Sequence, residues 1–513
     1  MSASLRNGEF PPPSPPRSIR RAPPRGPLLL TLGMSLAVAL WSPWLFIQPF
    51  APAFLFSLPV GLCLGFILWW PEAALPLALF SLPLVNVHFE LGLAEKTLSF
   101  DKLMLVVLIG GWALRRISLK QWKFPRDPIL SLWWIWLVVQ GVTVLTTRNR
   151  LGDQLWYLTE QLTYILFFVV CLDVLRDRRA MRSAIQVVVA SGWAVALLGM
   201  AERVSHIFLG RDVLSLTYPD TGKWATEFGS TIGHPNFYSA FQILSIPFTA
   251  WAVWETRGRW RWFFVAMLVV QCGSVFVAKS IGGVLGLAVA ALIGCWWTGR
   301  RSWRIIGPFA AAVGVVVILW VVQSRDPVGL DRSALTRTHI LRVSRHVFVE
   351  RPFFGHGLGS FTRVFPDYEL VYGRERLVGT LAQWRDFPRS VSSHNWFLRL
   401  MIEGGLASLL TFLGLIGWVM ATRWHSLRSP PPEERPAPGQ PDFFAPVYQR
   451  SLRLALAAAL VGFFVQAFTD ELFAYSKIVI IFWALTAIGV TMDMRSRESA
   501  SAGAPRSSLL GRS

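Results

Sequence analysis

Apolar segments of about 20 residues recur along nearly the whole chain, and this repetition constrains the fold more than any other feature. An α-helix of that length is long enough to cross the hydrocarbon core of a bilayer. With 53% hydrophobic residues among 513, the chain is also far too apolar for a soluble protein. The sequence therefore predicts an all-α polytopic membrane protein with about 12–14 transmembrane helices.

Fourteen segments are candidate spans, and the third and fourth are short enough to be tilted, re-entrant or interfacial pieces. An even number of spans places both ends of the chain on the same side of the membrane. The candidate spans are residues 28–48, 50–70, 73–87, 102–114, 129–147, 156–174, 184–200, 235–254, 261–278, 281–297, 305–322, 396–419, 452–468 and 474–492.

The connections between these spans alternate between rich and poor in basic residues, and this alternation predicts the orientation. Short cytoplasmic loops are enriched in Lys and Arg. With the N-terminus inside, the inward-facing segments hold more than half of the 50 basic residues, and both termini are cytoplasmic. The formal net charge of +20 is therefore explained by topology, and it calls for no nucleic-acid partner.

The same pattern divides the chain into five predicted parts. A disordered Pro/Arg-rich cytoplasmic tail precedes a transmembrane bundle of about 11 spans. A large extracytoplasmic loop containing short helices follows, and then come C-terminal spans with a Pro-rich cytoplasmic linker at 429–443 and a disordered cytoplasmic tail. In chain order, these parts are residues 1–26, 27–322, 323–395, 396–492 and 494–513.

Seven of the eight histidines map to the extracytoplasmic side, where three segments carry the candidate chemistry. The first is the loop of residues 201–234, where Gly229 and Gly233 precede Pro235, which we expect to be the first residue of a helix. The free amides of this helix, near Asn236, would point at a potential anion, and an ordinary capped helix start is the alternative. The second is a very short turn with Lys279 and Ser280, where Lys279 either binds substrate or extends its ammonium group to water.

The third segment is the large loop, which has eleven arginines against seven acidic residues between 323 and 394. Within 335–350, Ile340, Val343 and Val347 recur at helical spacing, which predicts a short amphipathic helix lying along the membrane. Arg342 and Arg345 then fall on its polar side, with Arg337 at the border. Arginine binds phosphate bidentately, so this loop suits an anionic lipid headgroup, and a solvated loop touching anionic lipids is the alternative.

The loop ends with His394 and Asn395, which directly precede an apolar helix that also carries Arg399 and Glu403. A histidine at a membrane boundary suggests acid–base chemistry, because imidazole exchanges protons near neutral pH. Arg399 and Glu403 are four residues apart and hence share one face of the helix. Because a charge in a membrane helix needs a partner, we expect these two side chains to pair.

Three carboxylates are candidate partners for His394. Glu403 lies nine residues further along the helix and about half a turn out of phase, so we do not expect it to orient the imidazole. Asp470 and Glu471, in the outer turn FTDELFAY, are alternative partners for His394 or for loop arginines. For these two residues, however, a solvated turn is the expectation.

Three motifs, in this order, resemble those of the O-antigen ligase and O-antigen polymerase superfamily of bacterial lipid-linked glycan transferases. GHPNFYSAF resembles the family's Asn-Pro-Asn helix start, with His234 at the first Asn and Asn236 at the last. VERPFFGHGLGSF resembles the Gly-rich element that precedes the catalytic histidine. HNWFLRLMIEGGLAS resembles the His-Asn signature, through His394, Asn395 and Gly405.

The chain departs from the pattern of this family at three positions. Glu227 stands near the place where an Arg is common, and Ile281 replaces the Arg of a Ser-Arg-Gly turn. Ser408 occupies a position that usually holds Gly, Thr or Tyr. The first two departures leave open which cations would bind a diphosphate, although Lys279 is a candidate substitute.

The resemblance implies a membrane glycosyltransferase of the O-antigen ligase type in the bacterial inner (plasma) membrane. It would transfer a glycan from undecaprenyl diphosphate to an acceptor hydroxyl on a lipid core sugar, a growing polysaccharide or a protein. His394 would be the catalytic base, and the reaction would need no metal and no cofactor. The partners would be the lipid-linked donor, the acceptor and the surrounding membrane lipids. The residues that would bind substrate are Arg337, Arg342, Arg345, Lys279, Asn236, Asn395 and Arg399.

Two other classes of function are open at this point. A polysaccharide or lipid-linked sugar transporter or flippase would show as many spans, but transporters usually have repeats and broken helices around a midplane site. Here the polar residues gather at one face and in one long loop. A glycosyltransferase with an acidic metal site is the other class, but the first outer connections show no paired acids that would suit it.

Overall fold

The computed structural model confirms an all-α polytopic membrane protein. The predicted spans at 28–48 and 305–322, all but the last residue of the span at 50–70, the N-terminal tail and the 429–443 linker lie outside the described residues. The structure describes residues 70–85, 88–90, 97–120, 125, 127–147, 150–209, 229–298, 327–368, 392–428 and 446–503.

Thirteen α-helices form the described part of the chain, joined by two short strands and two 3-10 turns at Ser230–Ile232 and Leu472–Ala474. The predicted spans from 102 onwards that fall within the described residues overlap helices, whereas the helix in the span at 73–87 ends at Ser81. In chain order, the elements are α1 Pro71–Ser81, β1 His88–Glu90, β2 Thr97–Ser99, α2 Phe100–Ser118, α3 Pro128–Thr146, α4 Leu151–Val174, α5 Arg178–Leu209, α6 Pro235–Glu255, α7 Arg259–Val277, α8 Ile281–Thr298, α9 Pro327–Glu350, α10 Phe361–Tyr368, α11 Trp396–Arg428, α12 Pro446–Ala467 and α13 Ser476–Gly503.

Seven of the described helices are long and apolar enough to cross a membrane, by length and composition: α3, α4, α5, α7, α11, α12 and α13. The predicted total of about 12–14 spans stays a prediction. α13 is buried on nearly all sides and stands at the centre of the bundle, whereas α7 exposes apolar side chains such as Trp262 and Val269. An all-round apolar, buried helix and a peripheral, outward-facing one are the two kinds expected of a membrane bundle.

Two features differ from the sequence-based expectation. A small antiparallel ribbon pairs β1 with β2, His88 opposite Ser99, and strands of three residues are too short for periodicity to reveal. The last helix continues to Gly503, past the expected start of a disordered tail at 494. Its final turns are held by side chains, since Asp493 and Ser496 bond to arginines of α11 and α12.

The predicted amphipathic helix of the large loop is present as α9. Its apolar stripe of Ile340, Val343 and Val347 is buried, as the spacing predicts. The stripe packs on Phe361 and Phe365 of α10 and on the first turns of α11, so its apolar face covers protein. The expectation that this stripe lies on the membrane surface is therefore wrong, because neighbouring parts of the same chain provide the apolar partner.

α11 is interrupted at Gly405, whose φ of 68° and ψ of −167° lie in a region that is essentially restricted to glycine. The Gly-rich segment 352–357 docks against this break and satisfies the backbone groups that the interrupted helix leaves unpaired. Four backbone bonds join the two: Leu406 N to Pro352 O (2.8 Å), Ala407 N to Phe353 O (3.1 Å), His356 N to Ile402 O (3.0 Å) and Gly357 N to Glu403 O (2.9 Å). The loop and the helix therefore form one rigid unit.

Candidate functional site

His394 directly precedes α11 and adopts a left-handed conformation, with φ of 47°. Histidine tolerates this region better than most residues, and such conformations concentrate at functional sites. The His394 amide donates to the Ser392 hydroxyl at 3.2 Å. Asn395 caps α11, because its side-chain oxygen accepts the Leu398 amide at 3.0 Å. The predicted substrate-binding residue Asn395 thus has a structural task, and its role towards a substrate stays a prediction.

Glu471 clamps the backbone next to His394. Its carboxylate accepts the Ser392 hydroxyl at 3.0 Å and the Ser393 amide, and it accepts Arg399 Nη1 at 2.7 Å. Burial alone would raise the pKa of Glu471, but the Arg399 guanidinium and the hydrogen bonds from Ser393 and Arg399 hold this pKa below its ordinary value. The expectation of a solvated turn is wrong, since Glu471 is only 7% exposed and takes part in an ion pair.

Arg399 bridges two carboxylates. Its Nε donates to Glu403 at 3.0 Å, as the spacing on the helix predicts, and its Nη1 donates to Glu471. Nη2 lies 3.3 Å from the Tyr157 hydroxyl of α4. Because all three nitrogens have protein partners and the residue is buried, the geometry supports a positioning role. Direct binding of a diphosphate by Arg399 stays a prediction.

Glu403 connects this network to the residues that directly follow segment 352–357. Its carboxylate accepts the Gly359 amide at 2.9 Å and the Phe361 amide at 3.3 Å, as well as Arg399. The carboxylate therefore points towards the loop and Arg399, in agreement with the expectation that it does not orient His394. The chain of contacts runs from the loop through Glu403, Arg399 and Glu471 to the backbone that carries His394.

A second histidine, His234, lies near both His394 and the Asp470 carboxylate. His234 caps α6, since its Nδ1 accepts the Asn236 amide at 3.2 Å, and Pro235 is the first residue of the helix, as predicted. Burial lowers the pKa of His234; the neighbouring Asp470 carboxylate opposes this effect and the nearby His394 adds to it. His394 and Asp470 therefore both act on His234 at this end of the bundle.

Asp470 is 4% exposed, so the expectation of a solvated turn is wrong here as well. Its Oδ1 accepts the Glu471 amide at 2.8 Å, while no hydrogen-bond donor from the described residues reaches Oδ2. A buried carboxylate oxygen without a donor is costly unless a cation or a proton approaches it. Asp470 is therefore suited to stabilise positive charge on a neighbouring imidazole.

The ends of α7, α8 and α12 meet near these residues. The backbone oxygen of Asn236 accepts Gln466 Nε2 of α12 at 2.7 Å, which ties the start of α6 to the end of α12. Lys279 lies in a very short turn between α7 and α8, as predicted, with φ of 55°. This turn lies beside the same end of α12, because a Cβ on Gly282 would meet the Thr469 side chain. Two predicted site residues thus reach the surroundings of Asp470.

The three arginines predicted to bind substrate, Arg337, Arg342 and Arg345, lie on the exposed side of α9, opposite its buried stripe. Within the described ranges, none of Arg337, Arg342 and Arg345 forms an ion pair, so these guanidinium groups can accept an anion. α9 packs against α11 at Leu398 and Ile402, in the turns that follow His394. The structure thus brings α9 next to the start of α11, and contact of its arginines with a substrate stays a prediction.

Sequence reasoning omitted His234 from the candidate site residues. The signal was present, because His234 stands where the resemblance puts an Asn, and a titratable residue in a capping position is a departure of chemical interest.

In the part of the chain that the structure describes, no group of three or more His, Cys, Asp or Glu side chains is arranged to hold a metal ion.

Residues 266–413 match a family model described as O-antigen ligase. The matched range contains Lys279, α9, the Gly-rich segment and His394, and it confirms the resemblance to the O-antigen ligase and polymerase superfamily. Among curated proteins, none matches the chain. The match, together with the apolar helices, indicates a multi-pass bacterial membrane protein with a glycosyltransferase type of activity.

Proposed function

We propose that this protein transfers a glycan from undecaprenyl diphosphate to an acceptor hydroxyl at the extracytoplasmic face of the bacterial inner membrane. One observation carries the proposal: His394 lies within the matched O-antigen ligase region, and Glu471 ties the residues just before it to the turn that holds the buried Asp470. Lys279 and the arginines of α9, which packs on the first turns of α11, would supply cations at this end of the bundle. A proton acceptor next to cations is what transfer from a lipid diphosphate requires.

In the proposed reaction, the His394 imidazole takes the proton of the acceptor hydroxyl. The acceptor oxygen then forms a bond to the anomeric carbon of the donor, and the bond from that carbon to the diphosphate oxygen breaks. Undecaprenyl diphosphate leaves with the electron pair, so it needs stabilisation by cations more than it needs a proton. In this proposal the buried Asp470 carboxylate, which acts on the adjacent His234, also offsets the positive charge that forms on His394.

His234 has a different role from His394 in this proposal. Its Nδ1 accepts the Asn236 amide, so the neutral ring carries its proton on Nε2 and acts as a hydrogen-bond donor. The lowered pKa of His234 keeps it neutral, which avoids a second positive charge beside His394. Of the two imidazoles, His394 is therefore the one available as a base.

Lys279, Arg337, Arg342 and Arg345 are the proposed cations for the diphosphate, with no metal required. Arginine forms bidentate contacts with phosphate oxygens, and lysine supplies a point charge. The network of Arg399, Glu403 and Glu471 holds the backbone before α11 in place, so that His394 keeps its orientation.

A transporter or flippase is the second candidate, and the break in α11 is the observation that favours it. Broken helices form the substrate sites of many transporters. Here, however, the freed backbone groups are bonded to segment 352–357 of the same chain, which leaves them unavailable to a substrate. Lipid-linked sugar flipping that survives deletion of residues 335–390 would favour this second function.

The proposal is tested by glycan analysis of a deletion strain that carries the wild type, His394→Ala or His425→Ala. His425 is an exposed histidine near the other end of α11 and serves as the matched control. We expect the wild type and His425→Ala to restore the missing glycan, and His394→Ala to restore none at equal expression. Restoration by His394→Ala would show that the proposed base is wrong.

The same strain identifies the acceptor. Loss of long chains would indicate a polymerase, loss of attachment to lipid a ligase, and loss of protein glycans a protein glycosyltransferase. These enzymes use the same donor chemistry and differ in the acceptor.

A further inference from the structure

At the other end of the bundle, two buried arginines meet one carboxylate. Arg423 of α11 is 3% exposed and forms an ion pair with Asp493 of α13. Arg453 of α12 is 4% exposed, yet it bonds to neutral groups, the Ser426 carbonyl at 2.9 Å and the Ser496 hydroxyl at 2.7 Å. Both arginines lie within two turns of a helix end, where the positive-inside pattern predicts the cytoplasmic surface.

The charge in this cluster is not balanced. Nε of Arg423, Nη1 of Arg423 and Nε of Arg453 are buried and find no acceptor among the described residues. The next carboxylate, Asp127, caps α3 at 3.0 Å from the Ile129 amide and also acts on Arg423, but Arg497 adds a third positive charge against these two carboxylates. Arg423 has Asp493 as its ion-pair partner, whereas Arg453 has no ion pair among the described residues, and a buried guanidinium without a compensating anion is strongly unfavourable.

The position of the Arg423 guanidinium is fixed by the sequence of α13. A Cβ on Gly489 would lie 2.8 Å from Cζ of Arg423, so only a glycine leaves room for the group between α11 and α13. The donors are thus held in a defined place, which is the condition for selective binding of an anion.

We propose that Arg423 and Arg453 bind a phosphate group, supplied by the headgroup of an anionic phospholipid of the cytoplasmic leaflet. Free N–H donors on two guanidinium groups match phosphate oxygens, and basic pockets between helices at the cytoplasmic side are suited to lipid headgroups. Trp424, exposed on the same turn of α11, has the position of an aromatic residue at a membrane interface. The site is separate from His394 and does not rest on the proposed transferase activity.

The test measures the thermal midpoint of the full-length protein in nanodiscs of phosphatidylcholine, with and without phosphatidylglycerol. We expect phosphatidylglycerol to raise the midpoint of the wild type and of Arg428→Gln, an exposed arginine at the end of α11 that serves as the control for net charge. In Arg453→Gln this rise is expected to be lost. An equal rise in Arg453→Gln and Arg428→Gln would overturn the proposal.

A second pair of variants does not depend on the folding of Arg453→Gln. Ser496→Asp places a carboxylate within reach of Arg453, so it is expected to raise the midpoint in phosphatidylcholine and to abolish the response to phosphatidylglycerol. Ser496→Asn, of matched size, is expected to keep the response. A full lipid response in Ser496→Asp would overturn the proposal.

The source of the phosphate is distinguished by adding inorganic phosphate to the protein in phosphatidylcholine nanodiscs. A lipid headgroup is supported if inorganic phosphate leaves the thermal midpoint unchanged while phosphatidylglycerol raises it only when Arg453 is present. An equal response to inorganic phosphate would overturn the lipid as the source and assign the site to a free anion.

Discussion

Replacing Gly405 with alanine tests whether the break in α11 is built into the fold. Gly405 has φ of 68° and ψ of −167°, where any side chain costs about 1–3 kcal/mol. The new Cβ would also lie 2.6 Å from the backbone nitrogen of Phe354, and a backbone atom cannot rotate away as a side chain does.

The size of the effect follows from these contacts. Relief of the clash requires segment 352–357 to move off the helix, which breaks the hydrogen bonds from the Leu406 and Ala407 amides. Each bond contributes about 0.5–1.5 kcal/mol, so together with the strain Gly405→Ala is expected to lower the free energy of unfolding by about 2–6 kcal/mol. For a chain of this length, that corresponds to a fall of roughly 2–6 °C in the thermal midpoint.

The assay is thermal unfolding of the purified protein, followed by the fluorescence of its 25 tryptophans. Gly414 is the matched control, because it lies in the same helix, and a Cβ there meets nothing within 4 Å among the described atoms. Gly414→Ala is expected to leave the midpoint unchanged or to stabilise the helix by up to about 1 kcal/mol. If Gly405→Ala is as stable as Gly414→Ala, the described docking of the loop on the broken helix is wrong.

Three further predictions concern the site. Burial lowers the pKa of His234, so the unfolded chain binds a proton at this residue more readily than the folded chain does. The stability that His234 contributes above about pH 6.5 is therefore lost as the pH falls through its lowered folded pKa. His234→Asn retains a capping side chain and should make the free energy of unfolding, measured in unfolding scans, less dependent on pH in this range. Glu471→Gln leaves the buried Arg399 with one carboxylate, and chemical denaturation should show a loss of about 2–3 kcal/mol; an unchanged midpoint would remove Glu471 from the network. Replacing the exposed Arg342 and Arg345 with Gln should raise KM for the lipid-linked donor several-fold with unchanged thermal stability, and an unchanged KM would exclude them as donor contacts.

Local patterns in the sequence were sufficient for the parts of the site that lie within one helix or turn. Pro235 as a helix start, the stripe of α9 and the pair of Arg399 and Glu403 all follow from spacings of a few residues. The short turn at Lys279 follows from two apolar runs that almost touch in the sequence.

The remaining features depend on contacts between residues far apart in the chain. Glu471 is buried because Arg399, on another helix, pairs with it, and nothing in the turn FTDELFAY indicates that partner. The break at Gly405 is stable because segment 352–357 satisfies its backbone groups, whereas the sequence around Gly405 reads as a continuous apolar helix. The position of His234 beside His394 likewise results from the packing of α6, α11 and α12.

The central claim is that the end of the bundle that carries His394 transfers a glycan from a lipid diphosphate. The most direct measurement follows the purified full-length protein with an undecaprenyl-diphosphate-linked glycan and its acceptor, and quantifies both products by mass spectrometry. We expect free undecaprenyl diphosphate and acceptor-linked glycan to appear in equal amounts. Both should still form when a chelator removes metal ions, and neither should form with His394→Ala. Glycan transfer without release of undecaprenyl diphosphate, or equal transfer by His394→Ala, would contradict the account.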